Sequence, residues 1–370
     1  MSQSLSVFYL FGAGGSEDDP WRRRLGQLVA AFDDHARQVV ALDDLAVLPR
    51  DARATLAQNP PPLAGAVSVA RYEAIARALR GYDLVLTFGA GAIDAVMARR
   101  AFPRAMPPIV HHETPVAATL GGSARLYRRI ALGAAAGLVI DSEAAARVAG
   151  DRWKVPGERL HVIADGVDRA AFARAPDARL AGGFRRKPAD VVIGVVADDM
   201  TREEAALLVR AVAGLAARFR LVVVGAGAAC AAAERAALAM GIDDRLVLPG
   251  AIDDRAAYLG GFDVLLLPLR AGPAPAIVVE AMAAGISVMG WRGDALAAQL
   301  SPENAALLAP HVAEVSLRDA LQPLATDATL RAATGAANRA RAAQQHDAAA
   351  MVARSAALYA AVAGRPGSLG

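Results

Sequence analysis

The chain has 370 residues, formal net charge +3 and one cysteine, enough length for about two domains of roughly 150 residues each. No apolar run reaches the roughly 18 residues of a membrane span, and Met1 to Leu10 enters a strand without a basic leader or cleavage site, so a soluble, cytoplasmic protein is expected. A lone Cys230 excludes an internal disulfide and a cysteine-rich metal site, and its alanine neighbours make it a small buried hydrophobe.

In chain order, short apolar strands alternate with alanine-rich helical stretches, the pattern of parallel α/β folds. The first series is Ser6 to Leu10, Gln38 to Ala41, Leu84 to Thr87, Ile109 to His111, Gly137 to Asp141 and Leu160 to Ile163. The second is Val191 to Val196, Arg220 to Val224, Leu246 to Leu248, Asp263 to Leu267, Ser287 to Gly290 and Ala305 to Leu308. Two Rossmann-like parallel-sheet domains follow, residues 1–172 and 191–344. Between them lies a linker, 173–190, rich in proline, glycine and basic residues. A C-terminal helix, 348–363, completes the first domain.

Basic charge is almost all arginine; Lys154 and Lys187 are the only lysines. Arginines cluster at Arg22-Arg23-Arg24 beside Trp21, at Arg125, Arg128 and Arg129 around Tyr127, and at Arg185-Arg186-Lys187. Such patches can hold a protein on anionic lipid headgroups at about 1 kcal/mol per charge; a solvated helix face is the alternative reading. The charge is too diffuse for a nucleic-acid stripe.

Six segments in order resemble the family 4 glycosyltransferases of GT-B fold. They are Gly14-Gly15-Ser16-Glu17 after the first strand; Leu138 to Glu143, a strand ending in Ser-Glu; Asp165-Gly166-Val167-Asp168 with Phe172; Leu221 to Gly227; Asp244-Arg245 through Pro249-Gly250; and Asp263 to Pro268 leading into Glu280-Ala-Met-Ala-Ala-Gly285. The resemblance implies α/β architecture, two Rossmann-like domains facing across a cleft. It implies sugar transfer, of retaining type, from a nucleotide-sugar co-substrate to a glycan or lipid-linked acceptor, without metal or other cofactor.

The implied site can be weighed residue by residue. Gly12, Gly14 and Gly15 would let backbone N–H groups approach a diphosphate at a helix N-terminus, or simply make a tight turn. His111 and His112, followed by Glu113, end a strand and are the catalytic candidates, able to orient an acceptor hydroxyl; no third ligand at suitable spacing supports a metal there. Gly225, Gly250 and Glu280 would bind the donor, Glu280 accepting hydrogen bonds from a ribose diol as the acidic residue of dinucleotide-binding folds does. A helix N-terminal carboxylate favoured by the dipole is the alternative for Glu280.

The sequence departs from the family where the donor diphosphate is clamped. A gapless alignment over Ile193 to Glu204 puts Asp198 at the family's arginine and Glu203 at its lysine, with Arg202 one residue earlier. At about 5 Å and an effective dielectric near 20 each charge pair is worth roughly 3 kcal/mol, so the exchange turns attraction into repulsion. The first of the family's paired glutamates falls on Gly272, between which and the helix stand Pro273 and Pro275. Three readings stay open: an active transferase, a GT-B relic acting as a protein partner, regulator or glycan-binding protein, and an enzyme whose donor lacks a diphosphate. Membrane contact, if any, is peripheral, at the inner face.

Overall fold

The computed structural model describes residues 4–12, 20–41, 52–113, 121–173, 190–197, 200–267 and 276–370. The chain divides into two compact units, Met1–Gly166 with Ala348–Gly370, and Val167–Asp347.

The first unit contains β1 (Leu5–Phe11), α1 (Pro20–Ala31), β2 (Ala36–Ala41), β3 (Thr55–Leu56), α2 (Val69–Leu79), β4 (Leu84–Phe88), α3 (Ile93–Ala101), β5 (Ile109–His112), α4 (Gly122–Leu132), β6 (Gly137–Ile140), α5 (Glu143–Trp153) and β7 (Leu160–Val162). Its parallel sheet has the order β3-β2-β1-β4-β5-β6-β7. The order reverses between β1 and β4, which marks the crevice outside the carboxyl ends of those strands as the natural ligand position. There Gly12 follows β1 so closely against Gly91 that a Cβ would lie 2.3 Å from the Gly91 Cα; only glycine fits this approach.

The strands are near-continuous apolar runs because both sheet faces are covered. One face packs on Ile75 of α2, Val96 of α3, Leu132 of α4 and Trp153 of α5. The other packs on Leu25 and Leu28 of α1 and, far along the chain, on Met351 and Tyr359.

The second unit contains α6 (Arg169–Phe172), β8 (Val191–Val196), α7 (Arg202–Ala213), β9 (Phe219–Val224), α8 (Ala228–Met240), β10 (Leu246–Gly250), α9 (Arg255–Leu259), β11 (Val264–Leu266), α10 (Ile277–Ala284), β12 (Ser287–Met289), α11 (Asp294–Gln299), α12 (Pro302–Ala305), α13 (Glu314–Thr326) and α14 (Ala328–Gln345). The last helix, α15 (Ala348–Val362), returns to the first unit. The second sheet runs β10-β9-β8-β11-β12, all parallel. Cys230 is buried in α8 within its core.

Two expectations need correction. The segment Ala305 to Leu308 is no strand. Ser301 caps α12 by accepting from the Asn304 N–H at 3.3 Å, with Pro302 opening the helix, the arrangement that favours a helix start. The edge of β12 is instead satisfied by the Asn304 side chain, which accepts from Val288 N–H at 2.8 Å and donates to Val288 C=O at 2.6 Å. The unit boundary also falls earlier than residue 172. Val167 bridges Asp347 and Phe172 packs on the second core, so α6 belongs to the second unit. Most of the expected linker, 174–189, lies outside the described residues.

Candidate functional site

In the second unit the expected donor residues gather at the carboxyl edge of the sheet. From β9 the chain turns through Gly225, whose φ of +134° and 2.9 Å Cβ approach to Ala197 Cβ exclude a side chain. The Gly225 N–H donates to Gly250 C=O at 2.9 Å, tying the ends of β9 and β10 together. Gly227 then precedes α8 with no side-chain cap, so the first-turn N–H groups of that helix carry the positive end of its dipole at the sheet edge.

Glu280 lies in the first turns of α10 and is only 5% exposed. Its Oε2 stands 3.6 Å from Arg255 Nη1. Arg255 opens α9 directly after Asp254, which caps that helix by accepting from the Ala257 N–H at 3.3 Å. The sequence reading did not single out Arg255. The signal was the capping aspartate just past Gly250, which sets the next residue at the start of a helix beyond a strand's carboxyl end.

Arg202 and Glu203 are exposed on the first turn of α7. They line a groove between α7 and α8 with Ala206, Arg210 and Arg235. Glu204, not Glu203, completes the capping box: Thr201 Oγ1 accepts from Glu204 N–H at 3.1 Å and Glu204 Oε2 accepts from Thr201 N–H at 2.8 Å. Asp198 and Gly272, like Gly14 and Gly15 of the first unit, lie outside the described residues.

In the first unit β5 carries His111 and His112 to the carboxyl edge, and both imidazoles are enclosed, each 0% exposed. Strand alternation sends them to opposite faces. His111 Nδ1 is 2.8 Å from Thr87 Oγ1 on the paired strand β4, and its Nε2 is 3.5 Å from Glu113 Oε2. Arg128 Nε from α4 donates to the same carboxylate oxygen at 3.0 Å. Burial pushes the Glu113 carboxyl up, but His111 and Arg128 together outweigh it and hold it below its ordinary value.

His112 donates from Nδ1 to Thr87 C=O at 3.1 Å, which leaves Nε2 to accept from Tyr359 O–H at 2.7 Å. Its ring stacks on Phe88 at 4.2 Å and meets Trp21 edge-on. Burial, then the Arg24 charge, drives its pKa well below 6.5. A neutral imidazole in this box serves as one hydrogen-bond donor and one acceptor rather than as a charged acid near neutral pH.

A second polar cluster, not anticipated, sits at the ends of β6 and β7. Arg24, 1% exposed, donates from Nη2 to Ile163 C=O at 2.6 Å and places Nε 2.9 Å from Asp165 Oδ1. Asp141 follows β6, and burial together with the Asp165 charge raises its carboxyl pKa. The visible signal was an aspartate closing each of two apolar strands. Among the described residues no group of three His, Cys, Asp or Glu is placed to hold a metal ion, and no helix is long and apolar enough to cross a membrane.

Comparison with known proteins fits this geometry. Residues 190–327 match the family model for glycosyl transferases group 1. No curated protein matches the chain. Among solved structures, HepE of Anabaena in complex with UDP superposes with TM-score 0.69 at 16% identity over 96% of this chain and 98% of that one. A glycosyltransferase from Rickettsia africae gives 0.76 at 12% identity over 97% and 99%. The chain has the GT-B fold. Sucrose-phosphate synthase from Thermosynechococcus elongatus shares it, with TM-score 0.69, 18% identity and coverage of 97% and 99%. In this GT-B chain the segment carrying the group 1 pattern is the one that contains Gly225, Gly250, Arg255 and Glu280.

Proposed function

We propose that this GT-B chain transfers a sugar, with retention, from a nucleoside diphosphate sugar to a hydroxyl of a glycan or lipid-linked acceptor. The observation that carries the reading is Glu280, buried beside Arg255 at the carboxyl edge of the second sheet inside the group 1 segment. In this reading Glu280 accepts from the donor's ribose hydroxyls, while Arg255, Arg202 and the open N-terminus of α8 supply positive charge toward the diphosphate in place of the family's clamp. When the bond from the anomeric carbon to the diphosphate breaks, the new negative charge rests on the diphosphate. The acceptor oxygen bonds the same carbon, and its proton leaves with the diphosphate. The work is positioning and stabilisation of the leaving group, so the transfer proceeds without metal and survives a chelator. HepE, which binds UDP, is the relative that makes uridine donors the first to try.

The exposed Glu203, standing where the family has lysine, favours a second reading, a relic that works through a protein partner or holds a glycan without turnover. Calorimetric titration with UDP, GDP, ADP and their sugar conjugates separates the two. The transferase reading expects micromolar binding of at least one, weakened in Glu280→Gln; absence of heat with all of them overturns it.

A further inference from the structure

We propose that the outward face of α4, with the end of α5, is a docking surface for an anionic lipid bilayer. The inference goes beyond sugar transfer and holds whether or not the donor site turns over. The basic cluster of Arg125, Arg128 and Arg129 around Tyr127 divides on folding. Arg128 turns inward to Glu113, and the Tyr127 hydroxyl is committed to Asp94 and Tyr72. What remains outside is Gly122, Arg125, Leu126, Arg129, Ile130 and Gly133, all exposed. Their spacing of three and four residues puts them on one helical stripe.

Leu126 is 56% exposed and Ile130 39%, both on the same stripe as the two arginines. From α5, Arg152 and Lys154 line the adjoining groove, in which Asp151 is the acidic residue. Lys154, where α5 ends, keeps its long cationic side chain although its backbone has the left-handed φ of 55° that favours glycine.

Charge and shape together select the occupant. Four cations against one carboxylate attract an anionic surface. The aliphatic side chains between the cations are left in water by a soluble polyanion, whereas a bilayer receives them at the headgroup level. The stripe offers no outward aromatic ring on which nucleic-acid bases could stack. A second copy placed face to face would oppose arginine with arginine across a two-fold axis.

The test is co-sedimentation of the full chain with phosphatidylcholine vesicles and with vesicles containing about one third phosphatidylglycerol. The expected result is binding to the anionic vesicles only, reduced by high salt. It should fall at least about tenfold in Arg125→Glu/Arg129→Glu, since each cation lost near such a surface is worth about fivefold. Leu126→Ser/Ile130→Ser should weaken binding at unchanged charge; these side chains are exposed, and thermal unfolding verifies that the variant folds. Arg80→Glu/Arg354→Glu, equal in charge but elsewhere on the first unit, should bind like the parent chain. Equal loss in that control, equal binding to neutral vesicles, or binding to RNA or a second copy of the chain without binding to vesicles overturns the proposal.

Discussion

Arg128 of α4 donates to Glu113 at 3.0 Å within the first unit, with both side chains almost wholly buried. Removing one member breaks a buried ion pair and leaves the other charge less compensated away from water, a loss of up to about 3–5 kcal/mol. We expect Arg128→Met to destabilise the first unit by that order, and Glu113→Gln/Arg128→Met to cost less than the sum of the single changes. Denaturant unfolding of the four variants in a double-mutant cycle checks this. Additive single and double effects would refute coupling.

His112 gives the protein a sensitivity to acid. Its folded pKa lies well below 6.5, the value regained on unfolding. Above that value neither state binds a proton and its contribution is complete. As pH falls through 6.5 the unfolded state takes up the proton and the folded state does not, so stability declines by up to about 1.4 kcal/mol per pH unit. Glu113, whose folded pKa is also depressed, adds its loss at lower pH, below its ordinary 4.5. His112→Phe should flatten the slope of the melting temperature between pH 6.5 and the onset of the Glu113 loss, at a cost near neutrality of about 1–3 kcal/mol for the two hydrogen bonds it breaks. An unaltered slope would show that another group governs it.

Arg255 and Glu280 should each contribute to donor binding. Glu280→Gln keeps the shape and removes the charge; Arg255→Leu removes the cation. Each should weaken nucleotide binding by about 1–3 kcal/mol, the range of a charged hydrogen bond. Titration of both variants measures it. Full affinity in Arg255→Leu would reduce that arginine to a structural neighbour of Glu280.

Gly225→Ala should lower both stability and donor affinity. An alanine must adopt a φ of +134° with its Cβ 2.9 Å from Ala197, a strain of roughly 1–3 kcal/mol. Thermal unfolding and titration read the two effects separately. A variant as stable as the parent would mean the turn relaxes without consequence.

Lys154→Gly should raise stability by about 0.5–1 kcal/mol by relieving the left-handed backbone at the end of α5, while anionic vesicle binding falls. Opposite signs in the two measurements separate the charge from the backbone. A destabilised Lys154→Gly would mean that the lysine side chain contributes more to the fold than its backbone strain costs.

The alternation of apolar runs with alanine-rich stretches was enough to place eleven of the twelve strands expected from sequence within a few residues, because a strand buried on both faces must be apolar throughout. Ala305 to Leu308 misled because its apolar run closes α12 and turns into the core, where Leu308 is buried; the chain next forms an isolated bridge from Ala309 to Trp291. The two-residue β3 is too short for a periodic signal. At the site, the glycines that require special backbone conformations and the acid at Glu280 were legible from residue type and position after a strand.

What the sequence alone determined is therefore the α/β architecture and the positions where chain chemistry admits one solution, since periodicity and steric exclusion are local. Only the tertiary structure decided which charges are inside. Arg24 and Arg128 read like their arginine neighbours, yet each is drawn inward to an acid from a distant segment, Asp165 or Glu113, while Arg125 and Arg129 stay in water. The pairing of Arg255 with Glu280 and of His112 with Tyr359, 247 residues apart, depends likewise on packing that brings separate segments together, which no local pattern encodes.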